Sequence, residues 1–125
     1  MNDRNIFGEP LVPCSFEPLT GWLRDGCCKA DRQDQGSHLV CAIITEEFLA
    51  FSKSRGNDLI TPQPTLGFPG LVPNDQWCLC ARRWQEAYLA NVAPPLVLES
   101  TNHLVLKLLS RETLERFDHR LMGGG

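Results

Sequence analysis

The chain is organised around residues 77–87, whose sequence is WCLCARRWQEA. Cys78 and Cys80 lie one residue apart in a run, residues 76–80, that predicts a β-strand. The chain continues into a helix predicted for residues 81–90, because small and aromatic residues recur there on one helical face. This stretch therefore predicts a strand followed at once by a helix, with two cysteines close to the junction.

A second strand–helix unit is predicted upstream. Residues 38–44 are short and almost continuously apolar, as in a strand that is covered on both faces. Thr45 is a suitable N-cap for a helix from residue 46 to about residue 54, and two glutamates in its first turn favour the helix dipole. Between the two units, residues 57–76 form a long connection rich in Pro and Gly, whose apolar side chains predict an ordered loop.

The last third of the chain carries weaker patterns. Residues 96–98 follow two prolines and are a further strand candidate. Residues 101–109 fit either a helix capped by Thr101 or a strand with alternating leucines. Ser110 is expected to cap a final helix over residues 111 to about 120.

Together these elements predict an α+β fold with a small mixed β-sheet and helices packed on it in two layers. We expect a single compact domain over residues 1–122, because a chain of 125 residues can bury one core but not two. Residues 1–13 are predicted to form an extended arm, and the three glycines 123–125 a disordered tail.

The composition and charge of the chain indicate which classes of binding partner are unsuitable. With 42% hydrophobic and 22% charged residues, the chain has the make-up of a soluble globular protein. The net charge of −3 and the lack of a basic stripe argue against nucleic acid, and the longest apolar run, residues 39–44, is too short to span a membrane. The first residues lack the pattern of a secretory signal, so we expect a cytoplasmic protein whose six cysteines are thiols or ligands rather than disulfides.

The first candidate site binds a transition metal, because thiolate and imidazole are the ligands of zinc and of iron–sulfur clusters. On a strand, Cys78 and Cys80 would point to the same face, and the strand that starts at His38 could bring further ligands towards them. The predicted ligands are Cys27, Cys28, His38, Cys78 and Cys80, with zinc as the ion considered. The spacing is poor, however, because the chain has no Cys-x-x-Cys pair.

The second candidate site is a reactive thiol. Cys80 would lie at the first turn of the predicted helix, where unpaired backbone amides stabilise a thiolate. The catalytic candidates are Cys80 or Cys28 as nucleophile, His38 or His103 as base, and Asp25 or Asp75 as the acid that orients it. The thiols could instead cycle as a redox pair. The two candidate pairs are Cys78 with Cys80 and Cys27 with Cys28.

Both hypotheses compete with an unliganded core. Free cysteine is among the most buried residue types and packs as a small hydrophobe. Cys41, inside the predicted strand of residues 38–44, fits that description, and Cys78 and Cys80 could also be core residues. Among the remaining uses of the cysteines, we place metal binding first, thiol chemistry second and structural disulfides last.

Specific motifs occur along nearly the whole chain. They are RDGCC at residues 24–28, GSHLVCA at 36–42, GNDL at 56–59, FPGL at 68–71 and WCLCARRWQEA at 77–87. In these motifs the chain resembles a family of small, mostly bacterial proteins known only as a domain of unknown function. The resemblance implies a single domain with a two-layer α/β arrangement and no established activity, ligand or partner. Where the family has a Thr-His pair, this chain reads Thr101-Asn102-His103, so the resemblance implies no role for that histidine.

These patterns predict a small cysteine-rich accessory or binding domain, whose cysteine cluster is either structural or holds a transition metal. The first alternative is a thiol-dependent enzyme or redox protein that uses Cys80 or Cys28, so enzymatic activity stays open. The second alternative is a protein-interaction module with residues 57–76 as its contact surface. The expected partner is a small-molecule ligand or a protein, and not nucleic acid or a membrane.

Overall fold

The computed structural model describes residues 3–35 and 37–122, and its regular elements begin at residue 40. The strands are β1 (Val40–Ile43) and β2 (Gln76–Leu79), and the α-helices are α1 (Glu46–Ser54), α2 (Ala81–Leu89), α3 (Arg111–Arg116) and α4 (His119–Met122). Short 3₁₀ turns lie at Pro64–Leu66, Leu98–Ser100 and His103–Lys107. The predicted α+β class is confirmed.

The sheet is smaller than a typical mixed sheet. β1 and β2 pair antiparallel, and Leu96 extends the pairing by bridging Ala42 in the antiparallel sense and Asp118 in the parallel sense. The register places Val40 opposite Leu79, Cys41 opposite Cys78, Ala42 opposite Trp77 and Ile43 opposite Gln76. A two-stranded ribbon is only marginally stable alone, so the elements packed around it supply most of its stability.

The two helices that the sequence predicts most clearly are confirmed. α1 begins after Thr45, whose hydroxyl oxygen accepts a hydrogen bond from the Phe48 amide at 3.1 Å. α2 begins directly after the junction with β2, and it buries Ala81, Trp84 and Ala87 on the face that its periodicity predicts. Both helices therefore follow from local signals, a polar cap and an apolar stripe.

Trp84 is the largest fully buried side chain and anchors α2 in the core. Its indole nitrogen donates to the carbonyl oxygen of Pro94 at 3.0 Å, so burial leaves no polar atom of the ring unpaired. The ring stacks on Tyr88 at a centroid distance of 5.6 Å and meets Phe117 edge-on at 5.2 Å. Truncation of such a residue to alanine typically costs about 3–5 kcal/mol of stability.

The last third of the chain differs from its prediction. Leu96 makes only isolated bridges, so residues 96–98 are not a regular strand. Over residues 101–109 the helical alternative is closer, but the element is a 3₁₀ turn capped by Asn102, whose side-chain oxygen accepts from the Leu104 amide at 3.0 Å. Thr101 is buried, and its hydroxyl oxygen accepts a hydrogen bond from the Cys41 amide instead. The final helix follows its Ser110 cap as predicted, yet it is divided into α3 and α4.

The irregular segments pack rather than extend. In the loop of residues 57–76, the Leu71 amide donates to the carbonyl oxygen of Leu59 at 2.8 Å, and Phe68 is buried against Trp77, so the loop is ordered as predicted. The N-terminal arm folds back through bridges of Arg4 with Pro10 and of Asn5 with Asn102. The predicted tail of residues 123–125 lies outside the described residues. Within residues 3–35 and 37–122, no helix has the length and apolar character needed to cross a membrane.

The buried residues form two clusters. The larger one is aliphatic and aromatic, and it joins α1, α2 and α3 to the sheet. The smaller one consists of Cys14, Cys28, Cys41, Cys78 and Val97. Four of its five members are cysteines, so this second cluster is where the chemistry of the chain is concentrated.

Candidate cysteine centre

The pairing of β1 and β2 brings Cys41 and Cys78 together. Their backbone amides turn away from each other: the Cys41 amide donates to the hydroxyl oxygen of Thr101 at 3.2 Å, and the Cys78 amide to that of Thr20 at 2.8 Å. Cys41 and Cys78 are therefore a non-hydrogen-bonded pair, the arrangement that brings opposite side chains closest. Both threonines are fully buried, so each strand cysteine is held in place by an interior hydroxyl group.

Each strand cysteine is bonded to a cysteine from the N-terminal segment. Cys41 forms a disulfide with Cys14, at a Cα–Cα distance of 5.7 Å, and Cys78 forms one with Cys28, at 5.3 Å. The Sγ atoms of Cys14, Cys28 and Cys78 all lie within 4.8 Å of one another. The two disulfides are thus in contact, and we refer to Cys14, Cys28, Cys41 and Cys78 as the four-cysteine cluster.

The cluster is closed to solvent. The exposed fractions of its members are 5% for Cys14, 1% for Cys78 and 0% for Cys28 and Cys41. The two N-terminal members come from neighbouring parts of one segment, because the Cys14 amide donates to the carbonyl oxygen of Gly26 at 2.7 Å, two residues before Cys28. Two cysteines from the paired strands β1 and β2 therefore face two cysteines from the N-terminal segment.

The disulfides correct the expectation that these cysteines are thiols or ligands. That expectation rested on the compartment, whereas the pairing depends on strand register and on the path of the N-terminal segment, which composition does not encode. The predicted core role of Cys41 is half right, because the residue is buried but bonded. Neither predicted redox pair is formed: Cys78 and Cys80 are not bonded, nor are Cys27 and Cys28.

Only two of the five predicted metal ligands belong to the four-cysteine cluster. Cys28 and Cys78 are members, whereas Cys27 and Cys80 are half-buried free thiols. Among the residues that the structure describes, Cys27, His38 and Cys80 take part in no group of three or more close metal-binding atoms. The predicted ligand set left out Cys14 and Cys41, although the strand that carries Cys41 was expected to bring ligands towards Cys78 and Cys80.

Asp25 organises the turn before Cys28. Its carboxylate accepts a hydrogen bond from the Cys27 amide at 3.0 Å and pairs with Lys29 at 2.8 Å. Burial works to raise the pKa of Asp25, but the hydrogen bonds from Lys29 and from the Cys27 amide outweigh it and leave the pKa below its ordinary value. Asp25 therefore stabilises the turn, and the acid that orients His38 is a different residue.

The two free thiols lie in different surroundings. Burial, together with the negative charge of Asp25, raises the pKa of the Cys27 thiol, so Cys27 is mainly protonated at neutral pH. Cys80 occupies the N-cap position of α2, as predicted, and its side chain makes no capping hydrogen bond. The next amide, that of Ala81, donates to the carbonyl oxygen of Ser37 at 3.0 Å. Cys80 is accordingly the free thiol nearer to a helix N-terminus.

His38 is held by Asp34, a residue that the sequence did not single out. The ring Nδ1 lies 2.7 Å from a carboxylate oxygen of Asp34, whose side chain is only 1% exposed, and the same carboxylate accepts from the His38 amide at 2.8 Å. A carboxylate only accepts, so Nδ1 donates the proton and Nε2 is left as the basic nitrogen. Trp22 stacks on the ring at a centroid distance of 6.1 Å.

His38 and Cys78 both contribute to the lining of a cavity of about 240 Å³. Arg24 also lines the cavity, with its guanidinium group over the ring of Trp77 at 5.2 Å. Part of the wall comes from the loop of residues 57–68. The cavity therefore combines a base, a cation and a cysteine that is bonded in a disulfide.

Comparison with known proteins places the chain in one family. The sequence model of a family described as "Uncharacterized protein conserved in bacteria (DUF2237)" matches residues 4–118. The chain belongs to this family. No curated protein matches the chain. The description of DUF2237 assigns no activity, so the function has to be argued from the cysteine centre itself.

Proposed function

We propose that this DUF2237 domain is a thiol–disulfide redox protein whose reactive centre is the four-cysteine cluster. The observation that carries the proposal is the contact between two disulfides, with sulfur atoms of both within 4.8 Å of one another. Of the two nucleophiles predicted from the sequence, Cys28 belongs to this centre and Cys80 does not.

The cavity supplies the route of reaction. A thiol that enters beside His38 can give its proton to Nε2 while Asp34 stabilises the resulting imidazolium. The thiolate then attacks the Sγ atom of Cys78, a new S–S bond forms, and Cys28 leaves as a thiolate that takes up a proton. A second thiol attacks the mixed disulfide, which releases the oxidised small-molecule disulfide and the Cys78 thiol. In sum, one protein disulfide and two thiols give two protein thiols and one small-molecule disulfide.

Contact between the disulfides extends the reaction to the second pair. When Cys28 is released as a thiolate, its sulfur lies within 4.8 Å of the Cys14 sulfur. Attack on Cys14 forms a Cys14–Cys28 bond and releases Cys41 as a thiolate, so the oxidised state passes between the two pairs without an external oxidant. The centre can accept four electrons in total, two for each disulfide.

The burial of Cys78 makes local opening a necessary step. Only 1% of the residue is exposed, so a thiol reaches its sulfur when the loop of residues 57–68 moves away. We include the predicted cytoplasmic location in the proposal, because disulfides of mesophilic cytosolic proteins are usually transient and serve catalysis or redox sensing.

The experiment is disulfide mapping of the full chain during a glutathione titration. We expect peptide mass spectrometry of the oxidised protein to find Cys14–Cys41 and Cys28–Cys78, and both bonds to open and close reversibly while circular dichroism reports a folded chain. A Cys27→Ser/Cys80→Ser double variant should titrate like the wild type. Bonds that resist reduction until the chain unfolds would make the disulfides purely structural and would overturn the proposal.

A further inference from the structure

We infer that the four-cysteine cluster, once reduced, binds one zinc ion through Cys14, Cys28, Cys41 and Cys78. The inference rests on the proposed reducibility of the two disulfides and adds the occupant of the reduced state. It differs from the ligand set predicted from the sequence, because it leaves out Cys27, His38 and Cys80.

The distances suit a tetrahedral thiolate site. Zinc–sulfur bonds of about 2.3 Å place the four sulfur atoms of a tetrahedron about 3.8 Å apart. The sulfur atoms of Cys14, Cys28 and Cys78 already lie within 4.8 Å of one another. Reduction lets the bonded sulfur atoms move apart to that spacing, and the sulfur atoms that are not bonded need only small shifts to reach it. Cys41 is the fourth ligand, since its sulfur is bonded to that of Cys14 and its backbone lies opposite Cys78.

The backbone holds the ligands in two pairs. Cys41 and Cys78 are fixed on adjacent strands, where Thr101 and Thr20 bind their amides. Cys14 and Cys28 come from a segment that closes on itself through the Cys14–Gly26 hydrogen bond. A pair of ligands from adjacent strands and a pair from one folded segment that converge on one point resemble the way in which small structural zinc sites are assembled, although the sequence spacing here is long.

Burial and charge select the kind of cation. Four thiolates in an interior of low polarity repel each other strongly, so without a metal the reduced cysteines are protonated. A soft divalent ion replaces these protons and balances the charge, whereas magnesium and calcium require oxygen ligands. Among the described residues, the group of close metal-binding atoms at this cluster consists of cysteines alone, and Val97, which packs with the four cysteines, is apolar. Zinc binding should therefore release about four protons per ion.

The zinc-bound and disulfide states exclude each other, because a sulfur in a disulfide is no longer a thiolate. Oxidation would expel the ion and form the two disulfides, and reduction would restore the site. The oxidant in this step is a low-molecular-weight disulfide or a peroxide, and each protein disulfide formed transfers two electrons to it.

The test uses the full chain, purified without a metal-affinity column and reduced with a phosphine under nitrogen. We expect about one zinc per chain in competition with a chromophoric chelator, and cobalt substitution should give the sulfur-to-metal charge-transfer and ligand-field bands of a tetrahedral thiolate site. Cys41→Ser should weaken zinc binding at least tenfold. The Cys27→Ser/Cys80→Ser double variant is the matched control and should bind like the wild type.

Two results would overturn the inference. One is a reduced and folded wild-type chain that retains no zinc and gives no cobalt bands, a result that does not depend on any variant folding. The other is zinc binding that is lost in the Cys27→Ser/Cys80→Ser variant. Failure of the redox proposal is recognised separately, because in that case the glutathione titration finds disulfides that do not open in the folded chain.

Discussion

Cys41 and Cys78 lie directly opposite each other on β1 and β2, yet each is bonded to a cysteine outside the sheet. A cross-strand disulfide would join two segments that are already paired. The observed bonds instead attach the N-terminal segment to the paired strands at two points, with sequence separations of 27 and 50 residues. In the chain-entropy model, loops of this size stabilise the fold by about 3–4 kcal/mol each.

This arrangement links redox state to stability. Reduction removes both cross-links, so the N-terminal segment must then be held by other contacts. A zinc ion bound to the same four sulfur atoms would replace the two cross-links with one. The inferred ion would therefore offset part of the stability that the folded chain loses on reduction.

The first prediction concerns the interior hydroxyl groups. Thr101→Val removes the hydroxyl group that accepts from the Cys41 amide at 3.2 Å and donates to the Val97 carbonyl at 2.9 Å, and it keeps the branched shape of the side chain. A buried amide without a partner costs about 1–3 kcal/mol, so urea unfolding should report a loss of that size. Thr65→Val, at an exposed position, is the matched control and should change stability by less than about 0.5 kcal/mol. Equal effects of both substitutions would contradict this role of Thr101.

The second prediction tests exchange within the cluster. Cys41→Ala leaves Cys14 as a free thiol whose sulfur is within 4.8 Å of both Cys28 and Cys78. The Cys14 thiolate can then attack the remaining disulfide, so mapping under non-reducing conditions should find Cys14 bonded to Cys28 or to Cys78 in part of the protein.

The control for this exchange removes both members of one disulfide. The Cys14→Ala/Cys41→Ala variant has no attacking thiol next to the remaining bond, and we expect only Cys28–Cys78. A Cys41→Ala protein that keeps Cys28–Cys78 alone, with Cys14 unmodified, would show that the sulfur atoms do not exchange.

The helices could be predicted from the sequence because their signals are local. Thr45 caps α1, and the periodicity of Trp84 and Ala87 places α2 correctly. The C-terminal third was harder, because Thr101 and Asn102 are both plausible caps. Only the tertiary structure shows that Thr101 accepts from the Cys41 amide in β1 and that Asn102 is the residue that caps the turn.

The sequence predicted that several cysteines lie close together, but it did not predict which cysteines these are. Cys78 stands at the centre of a predicted strand, and so does Cys41, so the sequence places both correctly. Cys14 lies in a turn-rich segment with no periodic pattern, and its position beside Cys28 depends on the hydrogen bond to Gly26. The acid beside His38 was missed for a similar reason, since Asp34 lies among polar residues whose pattern gives no sign of a buried carboxylate.

The third prediction assigns the base in the cavity. His38→Gln removes Nε2 as a proton acceptor, so reduction of Cys28–Cys78 by small thiols should slow, by up to the ~10²–10⁴-fold typical of general-base catalysis. The equilibrium between oxidised and reduced protein should not change, because His38 is not part of the Cys28–Cys78 disulfide. His103→Gln, at an exposed position, is the control and should leave the rate unaltered. Equal rates for the two variants would assign the proton transfer to solvent.

The fourth prediction concerns pH dependence at the junction of α3 and α4. The side chain of Arg120 binds both carboxylate oxygens of Asp118, at 2.8–3.3 Å, and its amide donates to the same carboxylate. These hydrogen bonds, opposed by burial, hold the pKa of Asp118 below its ordinary value. Since the folded state then binds fewer protons than the unfolded chain, the stabilisation is complete above the ordinary pKa and is lost as the pH falls through the folded pKa.

Asp118→Asn should therefore lower the free energy of unfolding at pH 7, and its deficit relative to the wild type should shrink below about pH 4. Urea unfolding at pH 7 and at pH 3 measures both quantities. In an Arg120→Gln background the deficit should depend less on pH, because the cation that lowers the pKa of Asp118 is gone. A deficit of the same size at both pH values would show that Asp118 acts through its shape and backbone hydrogen bond, since only the charge of the carboxylate is removed by acid.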